Sequence, residues 1–164
     1  MKIYLFTLLC FVAYLPANAE DKNTDKKQNM NNYKKDVTLW YEVFNTKDPA
    51  VLNRILSDKW IDIPPAPNQP PGPEGVKQIL VQLTTAFPDL KVTIQDMIQD
   101  GNKVVVRSEI TGTHKAAFIG FPAKNGKLAI QAIDIHEFKD GKIARTWHSE
   151  DWLTGLHQLG AFEK

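Results

Sequence analysis

The chain has 164 residues, with 20 Lys plus Arg against 19 Asp plus Glu and a single cysteine. The near-neutral balance excludes the basic stripe that nucleic acid demands, and one cysteine excludes a disulfide framework. This length suits one domain able to bury about 68% of the surface its unfolded chain exposes.

Met1 to Ala19 carries one charge at Lys2, an apolar run from Ile3 to Leu15, and then Ala17, Asn18 and Ala19. That is the layout of a secretory signal peptide, with cleavage expected after Ala19. The apolar run is too short for a spanning helix, which needs about 20 residues, so no stable membrane insertion is expected after cleavage. Cys10 lies inside this segment and mimics a lipoprotein acceptor, but the bulky Leu9 precedes it where a small residue is needed. Removing residues 1–19 from 164 leaves 145 residues without cysteine, destined for the periplasm or full secretion. Residues 20–32 have one apolar residue and no period, which predicts a disordered leader ahead of a domain over 33–164.

Tyr33, Val37, Trp40, Tyr41 and Phe44 recur at helical spacing and predict an amphipathic helix of about three turns. Asp48 and Pro49 read as N-cap and first position of a short second helix whose apolar face is Val51, Leu52, Ile55 and Leu56. Residues 60–63 form a short strand, the proline-rich stretch 64–73 an extended loop, and residues 73–86 a third helix ended by Pro88. The period then turns alternating. Val92 to Gln99 and Val104 to His114 predict two strands joined by a turn at Asp100, Gly101 and Asn102. Leu128 to Phe138 is a third long strand, and Lys139-Asp140-Gly141-Lys142 is a hairpin signal. A last strand runs from Ile143 to about Trp152, and Leu153 to Leu159 closes the chain as a short helix. Helices followed by four long antiparallel strands define an α+β fold.

Asp134 is the candidate site residue with the clearest physical case. On the strand from Leu128 to Phe138 it shares a face with Leu128, Ile130, Ala132, His136 and Phe138. A carboxylate among hydrocarbon has its charged form disfavoured, which raises its pKa toward the range useful for moving protons. His114 falls on the inner face of its own strand, and antiparallel pairing is expected to bring it near Asp134. By the same alternation, Trp147 and Asp151 share a face with Ile143, and His148 falls opposite. Asp96 shares the apolar face of the first long strand and reads as an edge carboxylate without a partner. The histidines have no i, i+4 or HxH spacing, so no metal site is expected. Phe118, Ile119, Phe121 and Pro122 make an apolar loop that reads as a pocket lid, a plug or an oligomer contact.

An ordered set of short pieces resembles the SnoaL-like polyketide cyclases, also called ester cyclases. They are Gln69 to Gly75, Ala86 to Leu90, Gly112 to His114 with Gly120, Ile133 to Ile135, Asp140 to Ile143, Trp147 with Asp151, and Gln158 to Gly160. The resemblance implies the nuclear transport factor 2-like fold: a bent antiparallel sheet wrapped around the N-terminal helices as a cone with an apolar pocket. It also implies catalytic roles for Asp134 and His114 in proton transfer, a homodimer, and no cofactor. Trp60, Ile63, Phe118, Trp147 and Asp151 are the expected pocket residues. Many relatives carry a histidine where this chain has Ile63, which makes that end of the pocket more apolar.

Three functions are compatible with these residues. The first is general acid/base proton transfer on a small apolar carbonyl compound, of cyclase, isomerase or dehydratase type. The second is non-catalytic binding of an apolar molecule in the same pocket. The third is a dimerisation or adaptor module. Export separates the protein from cytoplasmic polyketide biosynthesis, so a nascent polyketide is not the expected substrate.

Overall fold

The computed structural model describes residues 32–163. The expected signal peptide and nearly all of the expected leader lie outside the described residues. Helix α1 spans Lys34–Thr46, and a 3-10 turn at Pro49–Val51 runs into the short helix α2, Leu52–Ile55. Asp48 caps that turn as its sequence predicts, accepting from the Ala50 amide at 2.9 Å. Strand β1 is Leu56–Ile63 and helix α3 is Pro73–Ala86. Strands β2, Lys91–Asp100, β3, Lys103–Thr113, β4, Lys127–Lys139, and β5, Lys142–Glu150, precede helix α4, Trp152–Gln158.

The five strands form one sheet in the order β1-β5-β4-β3-β2. Pairings among β2 to β5 are antiparallel, as the turn signals require. Asp140 and Gly141 both have positive φ, 52° and 78°, the backbone that a two-residue hairpin needs to match strand twist. The expected all-antiparallel sheet is corrected at one edge, because β1 pairs parallel with β5 and the sheet is mixed. The long α3-containing connection between β1 and β2 lets β1 reach the far edge, which no tight hairpin would allow.

One face of the sheet is covered by helices. Val37, Trp40, Tyr41 and Val43 are the buried residues of α1. Asn45 fastens the end of α1 to the start of β2, its side chain accepting from the Val92 amide at 2.8 Å and donating to the Val92 carbonyl at 3.0 Å. Beneath α1, Trp40 lies against Trp60 and His136, with ring centroids 5.5 Å and 5.4 Å away. Phe87, just beyond α3, is fully buried. A Cβ at Gly112 would sit 3.0 Å from that of Phe87, so glycine lets β3 approach.

Three strands break their own alternation. Gln95 has no partner in the register between Ile94 and Asp96, and Ala144 has none between Ile143 and Arg145. Strand β1 is irregular against β5 between Leu56 and Ile61. One extra residue in a strand inverts the facing of everything beyond it. Asp96 therefore leaves the face of Val92 and Ile94 and pairs with Arg107. Along β5, Ile143 faces the core, but after the bulge Thr146, His148 and Glu150 take that face.

Candidate functional site

A cavity of about 100 Å³ lies between the sheet and the helices. Trp40 and Tyr41 of α1 and Val76 and Leu83 of α3 contribute to its helical side. The sheet contributes Ser108, Ala132 and Asp134 from β3 and β4, and Thr146, His148 and Glu150 from β5. Trp60 and Asp62 of β1 and Trp152 of α4 complete the part of the wall that matters for its chemistry. An apolar cavity of about 150 Å³ holds benzene, so this space suits a molecule of one ring or less.

Asp134 is 7% exposed. Burial raises its pKa from 3.8 to about 6, against the Tyr41 hydrogen bond, which favours the anion, while the Glu150 charge raises it further. Tyr41 Oη donates to Oδ2 at 2.5 Å. Burial and the adjacent carboxylate hold the Tyr41 phenol far above its usual pKa, so it remains a donor. The other carboxylate oxygen, Oδ1, has no hydrogen-bond partner among the described residues. Ser108 stands opposite Ala132, two positions from Asp134 on the same sheet face. Its hydroxyl lines the cavity, is buried, and has no partner among the described residues. A buried hydroxyl without a partner costs about 1–3 kcal/mol, a cost that a ligand oxygen would relieve.

The residue directly across from Asp134 on β5 is His148. Its Nδ1 faces Glu150 Oε1 at 2.9 Å, and its Nε2 faces the Pro64 carbonyl at 2.9 Å and Asp62 Oδ1 at 3.3 Å. Every partner is an acceptor, so the ring carries both protons. Its pKa is pushed up to about 9, chiefly by the Glu150 hydrogen bond and against the cost of burial. Asp62 also accepts from Gln69 Nε2 at 2.8 Å, and burial raises its pKa. The site thus holds a fixed imidazolium between two carboxylates, beside a third carboxyl that titrates. Among the described residues, no group of three or more His, Cys, Asp and Glu is arranged to hold a metal ion.

The structure brings Asp134 and Trp60 to the cavity and places the other expected site residues outside its lining. His114 is not beside Asp134. Val106 is the residue opposite Asp134, and His114 lies eight positions further on, roughly 25 Å of strand. Its ring is buried, stacked on Phe87 at 5.6 Å between centroids, with neither nitrogen partnered among the described residues. Trp147 lies on the opposite sheet face, because the Ala144 bulge inverts its strand; Lys103 Nζ sits 5.3 Å from its ring centre. Asp151 caps α4, accepting from the Thr154 amide at 3.1 Å, a bond that lowers its pKa. Ile63 pairs beside Trp147, and it is Asp62 that reaches the cavity. Phe118 backs the wall, its ring 5.0 Å from that of Trp152. Alternation alone missed His148 and Glu150, whose parity depends on the bulge. Tyr41 carried the signature of a core helix residue, and alternation put Ser108 on the inner face of its strand without marking it as a site residue.

The sequence profile of the SnoaL-like polyketide cyclases matches residues 35–159. TsrD from Streptomyces laurentii is 27% identical with a TM-score of 0.73, over 78% of this chain and 94% of that one. A polyketide cyclase candidate from Bacillus cereus is 30% identical with a TM-score of 0.67, over 76% of this chain and 78% of that one. IdmH from Streptomyces antibioticus is 27% identical with a TM-score of 0.68, over 79% of this chain and 99% of that one. No curated protein matches. A profile match running from α1 to the end of α4, on the mixed sheet and helical cover described above, means that this chain belongs to the SnoaL-like polyketide cyclase family.

Proposed function

We propose that the protein moves a proton on a small carbonyl compound, with Asp134 as the base and the Ser108 hydroxyl as the donor to the oxygen on which charge develops. The observation that supports this best is a desolvated carboxylate with a pKa of about 6 and one free oxygen, lining an apolar cavity beside an unpartnered hydroxyl. Such a base is half ionised close to neutral pH, where proton transfer in both directions is efficient. Asp134 takes a hydrogen from the carbon next to the carbonyl, and the C–H electron pair moves into the carbonyl to form an enolate. Ser108 O–H bonds the enolate oxygen. Return of the proton at another carbon isomerises the compound. Loss of a β-hydroxyl that takes that proton and leaves as water dehydrates it, and attack on a second carbonyl in the same molecule, whose oxygen takes that proton, closes a ring. The imidazolium of His148 offsets the charge of Asp62 and Glu150, so the enolate does not face a purely anionic wall.

The test is α-hydrogen exchange in D2O with small one-ring ketones, followed by NMR. Wild-type protein is expected to introduce deuterium faster than buffer, Asp134→Asn to lose this, and Ser108→Ala to slow it by about 100-fold. Equal exchange by Asp134→Asn and wild type would contradict the assignment. A ketone that binds but does not exchange would support passive binding instead.

We also infer a homodimer formed through the sheet face opposite the cavity. Ile63, Trp147, Ile135, Val105 and Ile98 are successive cross-strand partners across all five strands. Ile98 on β2, and Ile133 two positions from Ile135 on β4, are 65% and 44% exposed. Arg107, Glu109 and Thr111 of β3 continue this face as its polar part. Light scattering at micromolar concentration is expected to give twice the chain mass, and a monomeric mass would overturn the inference. Export with cleavage after Ala19 is a proposal that rests on sequence alone. It predicts an intact mass beginning at Glu20, and a mass retaining residues 1–19 would refute it.

A further inference from the structure

Four buried side chains, ending at Trp60 in the cavity wall, are linked in series to Asp134. Trp60 Nε1 donates to Thr146 Oγ1 at 3.0 Å. Thr146 Oγ1 lies 3.0 Å from His136 Nδ1, and His136 Nε2 lies 3.2 Å from Tyr41 Oη. Tyr41 donates to Asp134 Oδ2. Trp60, Thr146, His136 and Tyr41 are each at most 3% exposed. We propose that these residues form a one-way chain of hydrogen bonds that fixes every proton leading to Oδ2 of Asp134 and leaves Oδ1 as the only oxygen that exchanges a proton with a bound molecule.

The direction follows from where the Thr146 hydrogen can go. An indole N–H donates and never accepts. It occupies one of the two lone pairs of the Thr146 oxygen and cannot take the Thr146 hydrogen, which leaves that hydrogen to the other neighbour, His136 Nδ1. Nδ1 is then an acceptor without a proton, and a neutral ring must carry its hydrogen on Nε2. That hydrogen points at the Tyr41 oxygen, and the Tyr41 hydrogen points at Oδ2. Burial pushes the His136 pKa down to about 3, in keeping with a neutral ring.

The reverse arrangement fails at its end. It would need a proton on Oδ2 given to Tyr41, the Tyr41 hydrogen given to Nε2, and an Nδ1–H given to Thr146. Thr146 would then accept from both Trp60 and His136, and its own hydrogen would have no acceptor among the described residues. Leaving a buried donor unmade is costly. A proton taken from a ligand therefore lands on Oδ1 and stays there for return, and it does not leak along the chain. Tyr41, His136, Thr146 and Trp60 are positioning residues in this account. The groups that face Asp134 besides Tyr41 are His148 and Glu150 on β5 and Asp62 on β1, and none of them belongs to the chain. The consequence for catalysis rests on the function proposed above, but the direction of the chain does not.

The test reads the His136 tautomer in the intact protein by long-range proton–nitrogen correlation with labelled histidine. Neutral His136 with its proton on Nε2, unchanged from pH 5 to 8, is the expected result. A proton on Nδ1, or a doubly protonated ring in that range, would overturn the proposal without touching the role of Asp134. Thr146→Ser keeps the donor and is expected to keep the Nε2–H form. Thr146→Val removes the hydroxyl that donates to Nδ1 and is expected to yield a mixture of tautomers; an unchanged single Nε2–H form there would remove the hydroxyl's role in setting direction. Tyr41→Phe is expected to shift the Asp134 titration upward, and an unmoved titration would remove the last link. A correct tautomer in a protein without α-hydrogen exchange would leave the chain standing and sink the catalytic reading.

Discussion

Replacing Asp134 by Asn separates the cost of the carboxylate from its use. In the folded protein its pKa is about 6 against an ordinary 3.8, with burial the main cause. The folded state therefore binds the proton more tightly than the unfolded chain does. Between pH 4 and 6 the native state holds more protons, so stability falls as pH rises through that window. A shift of about two units corresponds to roughly 3 kcal/mol. Asparagine has nearly the same shape and still accepts from Tyr41, but it never ionises. Urea unfolding of both proteins from pH 3.5 to 7.5 is expected to show the variant gaining about 3 kcal/mol on wild type across the window. A pH-independent difference would refute the reasoning. So would a wild type that gains on the variant with rising pH, because that pattern belongs to a carboxylate stabilised as an anion.

The imidazolium of His148 has the opposite charge and a different window. Its folded pKa of about 9 exceeds the ordinary 6.5, so its stabilisation is complete below pH 6.5 and is lost as pH rises through 9. Partial exposure and solvent screening reduce the effect to about 2 kcal/mol. In His148→Gln the stability loss between pH 6.5 and 9 is expected to disappear, measured by urea unfolding; persistence of the full slope would contradict the ion-pair geometry. Ser108→Ala removes a buried hydroxyl that has no partner among the described residues. It is expected to unfold at the same temperature as wild type or a few degrees higher, while binding of small ketones measured by calorimetry weakens by about 10-fold. Undiminished binding would show that the hydroxyl is not a ligand contact.

Much of this architecture is legible in the sequence, because local signals and tertiary structure agree. Helix α3 begins at Pro73 and ends at Ala86 where the proline signals put it, and the Asp140–Gly141 hairpin adopts the expected backbone. Asp134 emerges from alternation alone because β4 pairs with β3 in one unbroken register. The failures share a cause. Alternation gives facing only while each strand stays in step, and one extra residue at Ala144 reversed Trp147 and His148. His114 failed differently. Its inward facing was a sound reading, but facing carries no information about register, and register decides which side chains meet. The parallel edge strand β1 was equally out of reach, since the loop after Ile63 could have turned it either way. Tyr41 escaped notice because a tyrosine on the buried face of a helix looks like core until its hydroxyl is found at a carboxylate.

The most direct measurement is the titration of Asp134 itself, followed through its carboxyl carbon by NMR in the intact protein. Desolvation in the cavity predicts a midpoint near pH 6. A midpoint near 3.8 would mean a solvated carboxylate, and with it the claim that this residue is the proton-transfer base would fall.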